Sequence, residues 1–168
     1  ILDARKVSII AATTERQKVF LPMLSRFQIV ELANYTLVEM ATIIKQALTQ
    51  AKVSDELLIK MAELCRGNAR SATDLARELD RYSSVNHSPT LNDTQVHELI
   101  GILDIFPLGL SRSEAVLLRT IMKRGACSLT ALCAETGLTR AAQQSFETYL
   151  LRHGLMEIQP DSKRVVTS

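Results

Sequence analysis

Apolar residues recur at helical spacing through most of this chain, and the polar residues between them carry repeated helix-start signals. From Thr36 to Leu103 the pattern predicts four helices. Thr36-x-x-Glu39 is a capping box opening a helix that places Leu37, Met40, Ile44, Ala47 and Leu48 on one face. Ser54 caps a second helix starting at Asp55-Glu56, with Leu57, Leu58, Met61, Ala62 and Leu64 as its stripe. Gly67, tolerant of positive φ, ends it. Asn68 opens a third with Ala72, Leu75, Ala76 and Leu79 inward, and Asn92-Asp93-Thr94-Gln95 opens a fourth carrying Val96, Leu99, Ile100 and Leu103. Ser83 to Leu91 reads as the loop between them, with Pro89 as its breaker.

Beyond residue 104 the pattern changes. After the turn signal Pro107-Leu108-Gly109, Ser111-x-x-Glu114 caps a helix with Ala115, Leu118, Ile121 and Met122 inside. Ser128 to Glu135 reads as a short second helix stopped at Gly137. Thr139 caps a third that reaches His153, with Phe146, Leu150 and Leu151 inward, and Gly154 closes it. Leu155–Gln159 and Arg164–Thr167 then alternate about the polar turn Pro160-Asp161-Ser162-Lys163, which predicts a β-hairpin. Three helices followed by a small hairpin form the winged-helix pattern.

The first 35 residues read differently again. Val7 to Ala12 predicts a strand, about 16–24 a short helix, and Gln28 to Leu32 a second strand. Such a β-α-β fragment needs the remainder of a parallel sheet to pair with. The chain therefore divides into segments 1–35, 36–103 and 104–168, mainly α overall.

Composition sharpens this picture in a few places. High aliphatic content, few aromatics and no Trp suit small helical domains. A net charge of +2 does not by itself mark a nucleic-acid binder. Cys65, Cys127 and Cys133 are odd in number and lack zinc-ligand spacing, so buried unreactive thiols in a reducing, cytoplasmic setting are expected. No apolar run reaches the roughly 18 residues of a membrane span. Beginning at Ile1 rather than Met, the chain reads as a piece of a longer protein.

Candidate chemistry clusters at a few residues. Thr14, after the first strand, can orient a water or touch a γ-phosphate, or can satisfy backbone groups, the commoner use of a lone threonine. Arg26 can stabilise phosphoryl-transfer charge in a neighbouring subunit, or pair with Glu31 or Glu39. Arg70 stands at a helix start, where the dipole disfavours a cation and a phosphate-facing role supplies a reason. Tyr35 suits hinge packing or a nucleobase contact. No glycine is followed by Lys, so the chain holds no G-x-x-x-x-G-K-[ST] phosphate loop. In the terminal segment Arg140, Gln143 and Gln144 occupy early, exposed positions of a recognition helix, and Lys163 and Arg164 lie at the wing tip, suited to base edges and phosphates respectively. A solvated face or a protein-docking surface fits the same residues. His87, His97 and His153 are scattered without metal or triad spacing, and no metal site is expected.

Taken in order, these landmarks resemble the carboxyl-terminal half of the RuvB family, AAA+ motors of Holliday-junction branch migration. Ala12-Thr13-Thr14 resembles the sensor-1 strand end, and Pro22 through Phe27 resembles a Pro-Leu-Arg-Asp-Arg-Phe segment that places a trans-acting arginine finger on Arg26. Arg66-Gly67-Asn68-Ala69-Arg70 resembles Arg-Gly-Thr-Pro-Arg, which makes Arg70 the sensor-2 arginine. Tyr35 falls close to a tyrosine that packs on adenine, and Arg164-Val165-Val166-Thr167 resembles the Arg-Val-Ala-Thr of the wing. The resemblance implies an AAA+ core fragment over 1–35, a four-helix AAA+ lid over 36–103 and a DNA-binding winged helix over 104–168. It further implies ATP with Mg in the full-length protein, a ring that is a hexamer, double-stranded and branched DNA as substrate, and a RuvA-like junction-binding partner. Without a phosphate loop, the chain alone is expected to be inactive as an ATPase.

Glu15 stands where the family has Arg, Leu24 replaces the first Arg of the finger segment, and Ala69 replaces a proline. These departures support a second reading, a non-enzymatic winged-helix adaptor binding DNA or a protein and descended from an AAA+ protein.

Overall fold

The computed structural model describes residues 7–167, which fall into two compact units divided after Ala33. The first unit holds a 3-10 turn, Arg16–Lys18, and the one-turn helix α1 (Leu21–Leu24), started by Pro22 in its first turn. The strands expected over 7–12 and 28–32 do not form. A strand needs a neighbour to take its N–H and C=O groups, and the described residues of this unit provide none. Ile9, Ile10, Val30 and Leu32 accordingly stand 67%, 96%, 73% and 92% exposed.

The second unit contains two cores. Helices α2 (Leu37–Ala47), α3 (Asp55–Leu64), α4 (Ala69–Val85) and α5 (Asp93–Ile102) surround the first. Each start is capped: Thr36 and Asn92 make full capping boxes with Glu39 and Gln95, and the Ser54 and Asn68 side chains accept from Leu57 N–H and Arg70 N–H. Met40, Ile44, Leu58, Met61 and Leu79 are fully buried at the centre of this core. Burial pushes the Cys65 thiol up to about 11, which leaves it protonated and inert. Helix α4 runs to Val85, into the stretch expected to be loop. The buried Ser83 hydroxyl donates to Ser88 C=O at 2.8 Å, so the polar tail of the helix stays satisfied.

Asp80 of α4 ties the α2–α3 loop down. Its carboxylate accepts from Thr49 N–H (2.8 Å), Thr49 hydroxyl (2.6 Å), Gln50 N–H (3.0 Å) and Ala51 N–H (2.7 Å). Burial alone would raise its pKa, but these donors outweigh burial and hold the carboxyl below its ordinary value. Because the folded pKa is the lower one, the unfolded chain takes up the proton first. The contribution is therefore complete above the ordinary aspartate value, about 4, and is lost as pH falls below it. Asp80→Asn is expected to cost about 1–3 kcal/mol at neutral pH, and to flatten the acid limb of a stability–pH curve measured by urea unfolding.

The second core lies under α6 (Arg112–Arg124), α7 (Leu129–Thr136), α8 (Arg140–Arg152), β1 (Met156–Ile158) and β2 (Arg164–Val166). Ser111 and Glu114 form a capping box on α6, and the side chains of Ser128 and Thr139 cap α7 and α8. The strands pair antiparallel with Glu157 opposite Val165, and Cys127 bridges to Arg164 beyond them. Leu117, Ile121, Leu132, Leu150 and Met156 fill the centre. This is a helix-turn-helix with a wing, following a four-helix bundle.

Candidate functional site

The turn between α3 and α4 is built from two consecutive left-handed residues, Arg66 (φ 53°) and Gly67 (φ 70°). A Cβ on Gly67 would lie 3.7 Å from Asn34 Cβ and 3.9 Å from Tyr35 C=O, so the segment entering α2 runs against this turn. Asn68 then caps α4 through Arg70 N–H at 2.9 Å. The Arg70 side chain, on the first turn of α4, is exposed and has no carboxylate partner among the described residues. Tyr35 is half-exposed on the adjoining segment. The fold thus puts an exposed guanidinium on the first turn of a helix and runs the backbone of Tyr35 against the turn before it, an arrangement that suits an anionic ligand.

Thr14 and Arg26 lie in the first unit, and both are exposed. The threonine engaged in local bonding is Thr13, whose hydroxyl accepts from Glu15 N–H at 3.0 Å. The two carboxylates weighed as partners for Arg26 are each engaged within their own unit. Glu31 pairs with Arg16 at 2.8 Å, and Glu39 is held in the capping box of α2 by Thr36 N–H at 2.8 Å and Thr36 hydroxyl at 2.9 Å. No group of three or more His, Cys, Asp or Glu suited to a metal occurs among the described residues.

On the winged helix, two of the five residues expected to face DNA are buried. Gln143 is fully inside, with neither amide atom hydrogen-bonded, because it shares the inward face of α8 with Glu147 and Leu150. Arg164 points in as well, its guanidinium committed to a pair with Glu147. The expectation that these two side chains are exposed is corrected. Arg140, Gln144 and Lys163 remain on the surface. The hydrogen bond and charge of Asp161, 2.8 Å from the Lys163 ammonium, hold that group above its ordinary pKa. Glu147, the buried anion that organises the wing, was not apparent as a candidate. The signal for it is its spacing, three residues before the core residue Leu150.

The fold and this turn define the class: a helical lid carrying a winged helix, with a short segment ahead of it. The chain's neighbours in sequence and in structure are RuvB branch-migration proteins along its whole length, and what it matches is their carboxyl-terminal half. It is 30% identical over 173 aligned residues to the Holliday junction branch migration complex subunit RuvB of Thermotoga maritima, covering 99% of this chain and 52% of that protein. The Thermotoga petrophila counterpart is 29% identical, with 95% of this chain and 50% of that protein covered. The solved structure of the Thermotoga maritima RuvB Holliday junction branch migration motor superposes with a TM-score of 0.71 at 30% identity, over 89% of this chain and 52% of that one. The chain thus spans about half the length of the curated relatives it matches. No family model matches it. Among the described residues no helix is long and apolar enough to cross a membrane.

Proposed function

We propose that this chain is the lid and winged-helix part of a RuvB-like, ATP-driven motor that moves branched double-stranded DNA. The observation that carries the reading is the α3–α4 turn, where Arg70 has no carboxylate partner among the described residues and the Tyr35 backbone runs alongside Gly67, in the same unit that bears the winged helix. In this reading Arg70 senses the nucleotide phosphates and Tyr35 packs on the base, as sensor-2 and adenine contacts. Thr14 serves as the sensor-1 hydroxyl. Arg26 reaches the nucleotide of a neighbouring subunit, which requires a ring, a hexamer by analogy with the family. The phosphate loop and the magnesium ligands come from the half of the protein that precedes this one. ATP with Mg, when bound there, supplies a phosphoryl group whose hydrolysis is driven by charge stabilisation and positioning. The motor works in the cytoplasm with a RuvA-like junction-binding partner.

The test uses the full-length gene product. It is expected to hydrolyse ATP and to move a four-way junction, with Arg70→Ala abolishing both, while the 168-residue chain alone hydrolyses nothing. Turnover by this chain alone, or a full-length protein that cannot move a junction with ATP, overturns the reading.

A second reading, a winged helix that docks a protein, is favoured by the burial of Gln143 and Arg164, which leaves fewer surface groups for DNA. Salt dependence separates the two. If Arg140 and Lys163 contact phosphates, replacing both by Ala lowers the slope of log affinity against log salt by about two. An unchanged slope assigns the face to a protein.

A further inference from the structure

One lid side chain gathers three parts of the winged helix. The Arg66 guanidinium makes a two-pronged pair with Glu114 of α6, Nη1 donating to Oε1 at 2.9 Å and Nη2 to Oε2 at 2.6 Å. Its flat face lies over the ring of Tyr149 of α8, 3.7 Å from the ring centre. Tyr149 in turn donates its hydroxyl to Leu108 C=O at 2.7 Å, in the 3-10 turn Pro107–Gly109 that joins the two cores. That turn packs on the carboxyl end of α3, with Gly109 directly against Leu64 C=O.

The geometry is that of a joint rather than a surface ion pair. The Glu114 side chain is 4% exposed and Arg66 24%. Glu114 is fixed from behind, since its Oε2 also accepts from Ser111 N–H (2.7 Å) and Ser111 hydroxyl (2.8 Å). A planar, two-pronged and ring-stacked guanidinium fixes orientation as well as distance. On the lid side Arg66 has little slack. It is held at φ 53° between the end of α3 and Gly67, and Asn68 and Ala69 alone separate that glycine from Arg70.

We propose that Arg66 is a positioning residue that clamps the winged helix to the α3–α4 turn, so that turn and winged helix move as one body. Its mechanical consequence, that a displacement of Arg70 reaches the DNA-facing helix α8 through Arg66 and Tyr149, rests on the function proposed above. The clamp itself does not, because it is a property of this chain without nucleotide.

Amide 15N relaxation on the chain reads the clamp directly. In the native protein, amides of α2–α5 and of α6–α8 are expected to share one rotational correlation time. In Arg66→Ala the value splits into two, both shorter, while the dispersed amide spectra of both cores persist. Glu114→Gln keeps a residue type that closes a capping box but loses the ionic pair. It is expected to split the value as well, and it carries the test if Arg66→Ala unfolds. A single shared time in Glu114→Gln, or two separate times already in the native chain, overturns the proposal. In the full-length protein, Glu114→Gln is expected to retain ATP turnover and lose junction movement per ATP. Unchanged movement there overturns the clamp as a transmission element. A native full-length protein that hydrolyses no ATP would defeat the proposed function, whereas the correlation times would still decide the clamp.

Discussion

Replacing Arg164 by Met is expected to destabilise the winged helix by about 3–5 kcal/mol, the cost of leaving a buried carboxylate without its partner. Arg164 donates through Nε to Glu147 Oε1 at 2.8 Å, through Nη2 to Oε2 at 3.1 Å, and through Nη1 to Ser162 C=O at 2.7 Å. The two side chains are only 10% and 6% exposed. The backbone of Arg164 exchanges two hydrogen bonds with Cys127, of 2.8 and 3.0 Å, so the same residue ties β2 to the segment before α7. Loss of the pair therefore loosens the wing from α8. Denaturant unfolding followed by circular dichroism measures the cost. Glu147→Leu is expected to be similarly damaging, and the double variant with Arg164→Met to lie nearer the native protein than either single one, because an apolar pair removes both desolvated charges together. A phosphate-binding wing arginine behaves oppositely. Its loss would cost within about 0.5 kcal/mol, as for ordinary surface positions, and removal of Glu147 would leave stability intact while tightening DNA binding. That pattern would return Arg164 to the DNA interface.

This pair also marks where the amino-acid sequence stops being readable. Helices α2–α8 follow from local chemistry: capping residues such as Thr36, Ser54, Asn92, Ser111 and Thr139 act within four residues, and apolar stripes at helical spacing fix which face turns inward. Side-chain polarity is a weaker guide. Gln143 and Arg164 look like contact residues because they are polar and well placed in a helix-turn-helix, yet the phase of α8 puts Gln143 on the buried face with Leu150. Burial of Arg164 depends on Glu147, a partner 17 residues away whose approach no local pattern encodes. The clamp lies further out of reach, since Arg66 and Glu114 are 48 residues apart and meet only once both cores are formed. At the amino end the error runs the other way. Val7–Ala12 and Gln28–Leu32 carry strand-type residues, but a strand is a relation between segments, and apolar alternation cannot supply the neighbour. The turn that carries Arg70 is legible because Gly67 and the Asn68 cap that build it are both local.

The largest effect of a single small substitution is expected at Gly109. Its φ of 69° alone disfavours any residue with a Cβ. Space is the greater problem, because an added Cβ would overlap Leu64 C=O, lie 2.9 Å from Leu64 C and reach 3.2 Å from Arg66 Cγ. The first two obstacles are backbone at the end of α3 and cannot swing aside, so Gly109→Ala must lift the Pro107–Gly109 turn off the lid. Gly137 provides the control. It has nearly the same φ, 70°, with nothing within 4 Å of an added Cβ. Gly137→Ala then measures left-handed strain alone, about 1–2 kcal/mol, whereas Gly109→Ala adds the lost packing and is expected to reach about 3–4 kcal/mol. Urea unfolding of the two variants side by side isolates the steric part as their difference. Equal costs would mean that the turn can leave α3 freely, and the lid and winged helix would then be joined by little more than Arg66. A large difference places a second, backbone-level contact beside the Arg66–Glu114 pair, one that salt cannot screen.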